Sequence, residues 1–568
     1  MATYIALLGC FMVYFLACVD GLTPSCTSVR TKYIAKGLLQ SDVPAKAVSD
    51  SSLKVCSASS ESCCSKQMED SFAGLAKSEF KLALIAKTDD LKSIFSINGK
   101  VFDVFFQNLI KNSERDLNTM FLKTYGNFYK DHDKVFVDLF QSLTQYYQGK
   151  NLDLTQVMNN FFANLMKQMF QLMNSKNKFE NSYLDCVTQH MDDLKPFGDE
   201  KQKLTVQVKR AFVAARAFVQ GLNVGYSVLK QLQEISATNE CEKEITKLSF
   251  CSWCQGQTDL KPCPMFCSDS YKTCFSNLNG VNAAWNSYIT ALLDLSGRFE
   301  GPFSIESVIN PLGVKISFAI MNFQEKHIEV TKKIYTGCGT PTTKAKTKRS
   351  SDDNDFFIDE PGKIRREVKQ HDPSSSTPTL STMNLGKITK KFKEQIKPAK
   401  EFWQNLPSNI CAAPKSSSDS ANCWNGTVVG KYTNPGDSGN NIDSSLSSSS
   451  DKVEQQVAVL KAMTHRLTAA LSGEDVNVVG GDADGSGDGS GSASGESGDG
   501  NEITSPPTVF PTTEDNSIDD NTLGGGASNN GGNTLGKRNM DSGAQTLNAM
   551  NALLFIMLAL VYVNFRWS

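Results

Sequence analysis

Cys251-Ser-Trp-Cys254, followed by Cys263-Pro-Met-Phe-Cys267, decides how this chain folds, because it places four cysteines within seventeen residues. Two closely spaced cysteine pairs can hold a tetrahedral zinc ion. A CxxC pair is also the motif of thiol oxidoreductases. However, no alternation of strands and helices surrounds this pair, and an even set of other cysteines demands partners. We therefore predict structural disulfides here, with zinc binding and redox catalysis as the alternatives.

The first residues predict entry into the secretory pathway. Residues 5–17 form an apolar run of signal-peptide length, too short to span a bilayer comfortably, and small and turn-forming residues follow it. No Lys or Arg precedes the run, so this interpretation depends on hydrophobicity and position alone. We predict a signal peptide over residues 1–21, with cleavage between about Cys18 and Thr23.

Cysteine usage agrees with secretion. The chain has 16 cysteines, and two of them fall in the predicted signal peptide, which leaves an even set of fourteen. The secretory pathway is oxidising, so disulfides are the default state of these cysteines, and each cross-link stabilises by roughly 2–4 kcal/mol. The same compartment argues against zinc. Adjacent Cys63 and Cys64 are poorly placed to bond to each other, so we expect them to reach two separate partners.

The dominant hydrophobic period of the cysteine-containing region is helical. Apolar side chains recur at three- and four-residue steps in three stripes: Leu117, Phe121 and Tyr125; Phe136, Phe140 and Leu143; and Phe161, Leu165, Met169 and Leu172. Strand-like alternation is scarce. The predicted fold class is therefore all-α, an elongated disulfide-braced helical ectodomain over residues 22–430, followed by a disordered Ser/Gly/Asp-rich stalk.

A cysteine-free segment between Cys338 and Cys411 is rich in Lys, Ser, Thr, Asp and Pro and predicts an exposed loop at about residues 339–384. A furin-like convertase could cut this loop after Arg349, in Lys-Thr-Lys-Arg, or after Arg366, in Lys-Ile-Arg-Arg. Both motifs have Lys where such enzymes prefer Arg, so a solvated basic loop is the alternative. Disulfides that span the loop would hold the two pieces together after a cut.

The disordered stalk is predicted over residues 431–542. In residues 472–541 acids greatly outnumber bases and large apolar residues almost vanish, so this segment cannot bury enough surface to offset its ordering entropy. Residues 453–471 keep an apolar pattern and could form one isolated helix within it.

Four Ser-Gly pairs embedded in acids lie within residues 482–500. A glycosyltransferase that adds xylose to serine needs a hydroxyl on an extended backbone without a bulky neighbour, which the following glycine supplies. Nearby carboxylates are the usual recognition signal. We predict glycosaminoglycan attachment at Ser486, Ser490, Ser494 and Ser497, with a plain flexible Gly/Ser linker as the alternative.

The C-terminal residues predict a lipid anchor. Residues 552–563 are apolar but make up only about half to two-thirds of the ~20 residues that a spanning helix requires. Small residues and a polar spacer precede them, as in a GPI attachment signal. We predict attachment at Ser542 and removal of residues 543–568 as a propeptide. Attachment at Asn539 or Asn530, or a short tail anchor, are the alternatives.

Two further patterns concern modification and catalysis. Asn425-Gly-Thr427 is a sequon at the exit of the folded region, so we predict N-glycosylation at Asn425. The five histidines, at positions 132, 190, 327, 371 and 465, show no metal-ligand or catalytic-triad spacing, and no phosphate loop or paired-carboxylate motif stands out. We predict no catalytic residue, no metal site, no cofactor and no enzymatic activity.

Signal peptide, fourteen cysteines, helical ectodomain, late Ser-Gly cluster and GPI tail together resemble a glypican, a cell-surface heparan sulfate proteoglycan core protein. The most specific local match is Cys251-x-x-Cys254-x(8)-Cys263-x(3)-Cys267-x(6)-Cys274, which resembles the central cysteine block of that family. The resemblance covers nearly the whole chain. It implies seven disulfides: Cys26 with Cys63, Cys56 with Cys251, Cys64 with Cys254, Cys186 with Cys338, Cys241 with Cys274, Cys263 with Cys423, and Cys267 with Cys411.

The resemblance implies a non-enzymatic scaffold on the outer face of the plasma membrane, GPI-anchored or shed, with no nucleic acid partner. Similar proteins present or sequester secreted growth factors and morphogens of the Wnt, Hedgehog, bone morphogenetic and fibroblast growth factor classes as co-receptors. Heparan sulfate, a dense polyanion, should bind basic ligands in a salt-dependent manner.

An alternative belongs to the class of binding modules. The helical body itself could capture a secreted, lipidated ligand in a groove between helices, with the sugar chains secondary. Phe105-Phe106 and Phe161-Phe162 are candidate pocket aromatics, although apolar residues at this spacing are more typical of core.

Overall fold

The computed structural model describes residues 25–56, 61–300, 304–343, 384–433 and 451–476. All of them belong to one compact unit, residues 1–511; a second unit, residues 512–568, contains no described residue. The described residues form these helices in chain order: α1 (Thr27–Ala35), α2 (Lys66–Tyr125), α3 (Asn127–Lys130), α4 (Lys134–Tyr147), α5 (Leu154–Met173), α6 (Asn181–Gln189), α7 (Met191–Leu194), α8 (Glu200–Leu232), α9 (Asn239–Ser249), α10 (Cys251–Cys254), α11 (Pro264–Cys274), α12 (Asn279–Gly297), α13 (Ile305–Ile309), α14 (Leu312–Cys338), α15 (Leu385–Ile396), α16 (Phe402–Ile410) and α17 (Asp451–Ser472).

The all-α fold class is confirmed. Within the described ranges, β structure is limited to a few isolated bridges and one antiparallel ladder, which pairs β1 (Asn177–Lys178) with β2 (Thr342–Thr343). The three predicted stripes face the core, with Phe121, Phe140 and Phe161 almost completely buried and only the terminal residues Tyr125 and Leu172 half-buried. Over the same ranges, no helix has both the length and the apolar composition that crossing a membrane requires.

Helix α2 contains 60 residues and is about 90 Å long at 1.5 Å per residue. Its N-terminus is capped by Ser65, whose side chain accepts a hydrogen bond from the Met68 N–H. Buried residues recur at steps of three and four from Met68 to Phe121, so one face of this long helix is covered by the rest of the body. The helix ends at Gly126, whose φ of 58° favours glycine.

Helix α8 lies at the centre of the body. Every residue from 211 to 225 is buried, and α8 packs against α2, α5, α12, α14 and α17. A helix that is surrounded in this way needs small residues where its neighbours come close. Gly221 and Gly225 provide these points: a Cβ at Gly221 would lie 2.9 Å from Leu292, and one at Gly225 would lie 2.4 Å from Tyr288.

Helix α17 differs from the prediction of an isolated helix in the stalk. It packs against α8 and α12, and its apolar residues Val453, Leu460 and Leu467 are buried. Leu467 covers Gly221, where a Cβ would lie 3.1 Å from its side chain. The folded body therefore does not end at residue 430, as the domain boundaries 22–430 and 431–542 assumed, but includes residues 451–476.

Candidate functional site

Seven disulfides brace the body, and each joins the two cysteines that the family resemblance implies. Six of them connect the N-terminal segment, residues 241–274 and residues 411–423; we call these six the cysteine frame. The seventh, between Cys186 and Cys338, lies apart from the frame and joins α6 to the end of α14. All four cysteines of the CxxC block belong to the frame, so they hold no thiolates for zinc or for redox catalysis in this structure.

Backbone hydrogen bonds also join the chain segments that the cysteine frame cross-links. The Cys63 N–H donates to the Cys254 carbonyl at 2.8 Å, and the Trp424 N–H donates to the Lys261 carbonyl at 2.9 Å. The Cys263 N–H returns to the Trp424 carbonyl at 2.8 Å. These bonds fix the chain segments whose side chains form the cross-links, and they bury the Trp424 indole, which donates to the Lys247 carbonyl.

Asn425 follows the buried Trp424 and is half-buried at the surface. Its Oδ1 atom accepts hydrogen bonds from the backbone N–H groups of Thr427 and Val428, at 3.0 and 2.9 Å. This local turn places the sequon in a loop at the edge of the cysteine frame. N-glycosylation at Asn425 remains a prediction.

Glu69 ties the segment that carries Cys56 to helix α2. Its side chain is only 4% exposed and accepts hydrogen bonds from the backbone N–H groups of Lys54, Val55 and Cys56. Lys66 forms an ion pair with it at 3.3 Å. Burial opposes the charged form, but these donors outweigh burial, so the pKa of Glu69 lies below its ordinary value of 4.5.

Glu69→Gln is expected to lower the free energy of unfolding by about 2 kcal/mol at neutral pH, because the backbone donors lose a charged acceptor. A carboxylate with a lowered folded-state pKa stabilises above its unfolded pKa and loses this contribution as the pH falls through the folded value. The difference between wild type and variant should therefore shrink in acid. Denaturant unfolding of wild type and variant, at neutral pH and at acidic pH, measures this difference in stability.

Asp70→Asn is the matched control for Glu69→Gln. Asp70 also pairs with Lys66, but 67% of its side chain is exposed, so its removal should cost little. Equal losses of stability in the two variants would contradict the role given to the buried carboxylate.

Asp475 fixes the end of α17, where the chain leaves the described body. The Tyr146 hydroxyl donates to Asp475 Oδ2 at 2.6 Å, and two buried guanidinium groups, Arg216 and Arg466, lie 3.9 and 3.8 Å from this carboxylate. Arg216 also stacks over the Tyr146 ring at 4.7 Å. Burial, together with the Asp475 charge, raises the pKa of Tyr146, so its hydroxyl stays a donor.

Apart from Asn425, the predicted modification sites lie outside the described residues. These are the four stalk serines Ser486, Ser490, Ser494 and Ser497, the GPI site Ser542, and the convertase sites Arg349 and Arg366. Ser486 is eleven residues beyond Asp475 along the chain.

Both ends of the predicted loop are held by the body. On the N-terminal side, β2 pairs with β1, and Cys338 is cross-linked to Cys186. On the C-terminal side, Asn384 caps α15, and Cys411 is cross-linked to Cys267 in the cysteine frame. Residues 344–383 between these ends lie outside the described ranges.

A cavity of about 820 Å³ opens between the end of α2, the turn that follows it, α5 and α14. Its lining is mostly apolar and aromatic, with a few polar side chains: Phe121, Thr124, Tyr125, Phe128, Tyr129, His132, Phe136, Leu165, Gln168, Met169, Leu172, Met173, Ser175, Ile320 and Gln324. The volume and the lining are typical of sites for small apolar ligands.

The cavity does not use the aromatics that the sequence suggested for a lipid pocket. Phe106, Phe161 and Phe162 are buried in the core, and Phe105 packs against it. The cavity instead follows the end of α2 at Gly126. The short helix α3, which follows Gly126, brings Phe128, which is 40% exposed, to its mouth.

Sequence reasoning also missed one histidine. His190 appeared isolated, but its Nδ1 atom lies 3.8 Å from the sulfur of Cys338, which is 148 residues away along the chain. The four-residue spacing of Cys186 and His190 on one helix was the only local signal.

The profile of the glypican family matches residues 17–563. Glypican-1 of Gallus gallus is 33% identical over 464 residues, which are 80% of this chain and 81% of that protein. A crystal structure of C-terminally truncated glypican-1 matches with a TM-score of 0.68 and 29% identity, covering 80% of this chain and 100% of the other. A structure of Dally-like protein in complex with O-palmitoleoyl serine matches with a TM-score of 0.63 and 28% identity, again covering 80% and 100%.

The helical body, its seven disulfides and these matches define the class of protein: the chain belongs to the glypican family. It is a cell-surface, extracellular proteoglycan core protein, and glypicans are a non-enzymatic class of such proteins.

Proposed function

We propose that this protein carries heparan sulfate on Ser486, Ser490, Ser494 and Ser497 and uses these chains to bind basic secreted growth factors and morphogens, Wnt proteins among them. It then presents or sequesters these ligands as a co-receptor and so regulates signalling. The observation that carries the proposal is the group of four acid-flanked Ser-Gly pairs in a member of the glypican family. A sulfated polyanion binds cationic surfaces largely through release of counterions, so capture weakens as salt rises.

The contact of Asp475 with the body supports a short distance between the sugar chains and the folded protein. Asp475 is held by Tyr146 and by two arginines, and only eleven residues of sequence separate it from Ser486. The first sugar chain is therefore attached within a short stretch of sequence from the folded body.

The proposal includes an anchor and two processing events. GPI attachment at Ser542 holds the protein on the outer leaflet and lets it diffuse laterally. N-glycosylation occurs at Asn425. A convertase cuts the loop after Arg349 or Arg366, and the disulfide between Cys267 and Cys411 keeps the two pieces joined.

A second candidate function rests on the cavity at the end of α2. Its volume of about 820 Å³ and its aromatic lining suit an acyl chain, and burying each methylene of such a chain gains roughly 0.8 kcal/mol. The related Dally-like protein has been solved with O-palmitoleoyl serine. In this second function the body captures the lipid group of a secreted ligand, and the sugar chains are secondary.

The test is capture of a basic growth factor by protein released from the cell surface, before and after digestion with heparin lyases. We expect the apparent mass to fall and capture to drop by at least about tenfold. Chondroitin lyase serves as the control and should leave both unchanged. Capture that survives both enzymes would contradict the heparan sulfate proposal, and retained capture of a fatty-acylated ligand would favour the second candidate.

A further inference from the structure

The disulfide between Cys186 and Cys338 has a basic group beside it. His190 lies on the same helical segment as Cys186, and its Nδ1 atom is 3.0 Å from the Cys186 carbonyl oxygen and 3.8 Å from Cys338 Sγ. The ring fits there because Gly337 has no side chain: a Cβ at that position would lie 2.6 Å from Nε2 of the imidazole. A proton on Nδ1 is therefore donated to the Cys186 carbonyl oxygen and lies within 4 Å of one sulfur of the bond.

Exposure separates this disulfide from the other six. Each of the twelve cysteines in the cysteine frame is at most 5% exposed, whereas Cys186 and Cys338 are both half-buried. Thiol–disulfide exchange requires an attacking thiolate to reach a sulfur atom, so access decides which bond reacts first.

The bond also lies at the point where helix α14 ends and the predicted loop begins. Cys338 is the last residue of α14, and the predicted loop starts directly after it. The same junction is held by the Tyr183 hydroxyl, which donates to the Gly339 carbonyl at 2.8 Å, and by the two-residue ladder of β1 and β2. Among the described residues, the packing of α6 against α14 and these few polar contacts would then hold the junction without a covalent link.

We propose that the Cys186–Cys338 disulfide is a thiol–disulfide exchange site, at which an extracellular dithiol reductant frees the end of α14 from α6. A thiolate of the reductant attacks Cys186 Sγ and forms a mixed disulfide, and Cys338 Sγ leaves with the electron pair of the broken bond. His190 in its imidazolium form gives the Nδ1 proton to this departing sulfur.

The second thiol of the reductant completes the exchange. It gives its proton to water and attacks, as a thiolate, the reductant sulfur of the mixed disulfide, so Cys186 leaves as a thiolate and takes a proton from water. The reductant ends as a disulfide, the protein gains two electrons and two thiols, and the imidazole is reprotonated by water. The cysteine frame stays intact, so the body remains folded while the loop junction is released.

The experiment treats the purified full protein with limiting dithiothreitol, without denaturant, and traps new thiols with a maleimide for peptide mass spectrometry. We expect Cys186 and Cys338 to be labelled at least about tenfold faster than any cysteine of the frame. If a frame disulfide opened first, or all seven opened together, the proposal would be overturned.

His190→Asn tests the imidazole, because asparagine can keep the hydrogen bond to the Cys186 carbonyl but cannot supply an acidic proton. We expect opening to slow by at least about fivefold. A purely structural role predicts the opposite, since looser packing would expose the sulfur and speed its reaction. His327→Asn is the control: His327 also contacts a carbonyl of its own helix, and its loss should leave the rate unchanged. Equal rates in wild type and His190→Asn would overturn the role of His190.

Discussion

Gly225→Leu is expected to prevent the protein from reaching the cell surface. A Cβ at Gly225 would lie 2.4 Å from the Tyr288 hydroxyl and 2.5 Å from a ring carbon of Phe95, and both rings are fully buried. Neither ring can move aside, because Phe95 and Tyr288 both pack against the buried Trp285 ring, at centroid distances of 5.7 and 5.5 Å. Since overpacking of a closed core alone costs about 1–3 kcal/mol, we expect a loss above about 4 kcal/mol when the clash involves two rings.

Secretion yield and the thermal midpoint of any secreted protein measure this effect. Gly74→Leu is the matched control, since Gly74 lies on the exposed side of α2 and no atom is found within 4 Å of its Cβ position. Leucine there should leave secretion intact, because it is a better helix former than glycine. Normal secretion and an unchanged midpoint in Gly225→Leu would show that the helices do not approach each other as described.

The second large effect concerns the stalk. Replacement of Ser486, Ser490, Ser494 and Ser497 by alanine is expected to remove the polysaccharide and to weaken binding of a basic growth factor by at least about a hundredfold at low salt. The weak binding that remains should depend less steeply on salt concentration, because fewer counterions are released. Equilibrium binding at several salt concentrations measures both quantities.

A matched control uses the serine run at 447–450, which no glycine follows. Alanine at these four positions should leave both affinity and salt dependence unchanged. If the variant without the four Ser-Gly serines kept wild-type affinity, the body and not the stalk would bind the ligand. The cavity between α2, α5 and α14 would then be the first place to look.

The sequence predicted most of the helical body, because its hydrophobic period is strong. Stripes such as Phe136, Phe140 and Leu143 identify a buried helix face without any knowledge of the neighbouring helix. The family resemblance supplied the cysteine pairs, which chain spacing alone left open.

The position of α17 could not be predicted from its own residues. Val453, Leu460 and Leu467 form a clear apolar face, but the surface that accepts it is created by Gly221 on α8, more than two hundred residues earlier. The surrounding Ser- and Asp-rich composition indicated a stalk. Helix α17 nevertheless packs onto the body, because burial of its apolar face in a matching groove is favourable.

The cavity and the His190 cluster were missed for a related reason. A stripe such as Phe121 and Tyr125 is the same in sequence whether it faces a filled core or an open cavity, and the space here depends on how α2, α5 and α14 pack. His190 approaches Cys338 because α6 and α14 pack together, and spacing along the chain carries no record of that contact.

The most direct test of heparan sulfate attachment is to determine which of the four stalk serines carry sugar. Protein purified from the cell surface would be digested with heparin lyases and then with a protease, and the peptide that covers residues 482–500 would be sequenced by mass spectrometry. We expect linkage sugars that begin with xylose on Ser486, Ser490, Ser494 or Ser497. Unmodified hydroxyls at all four serines would contradict this expectation.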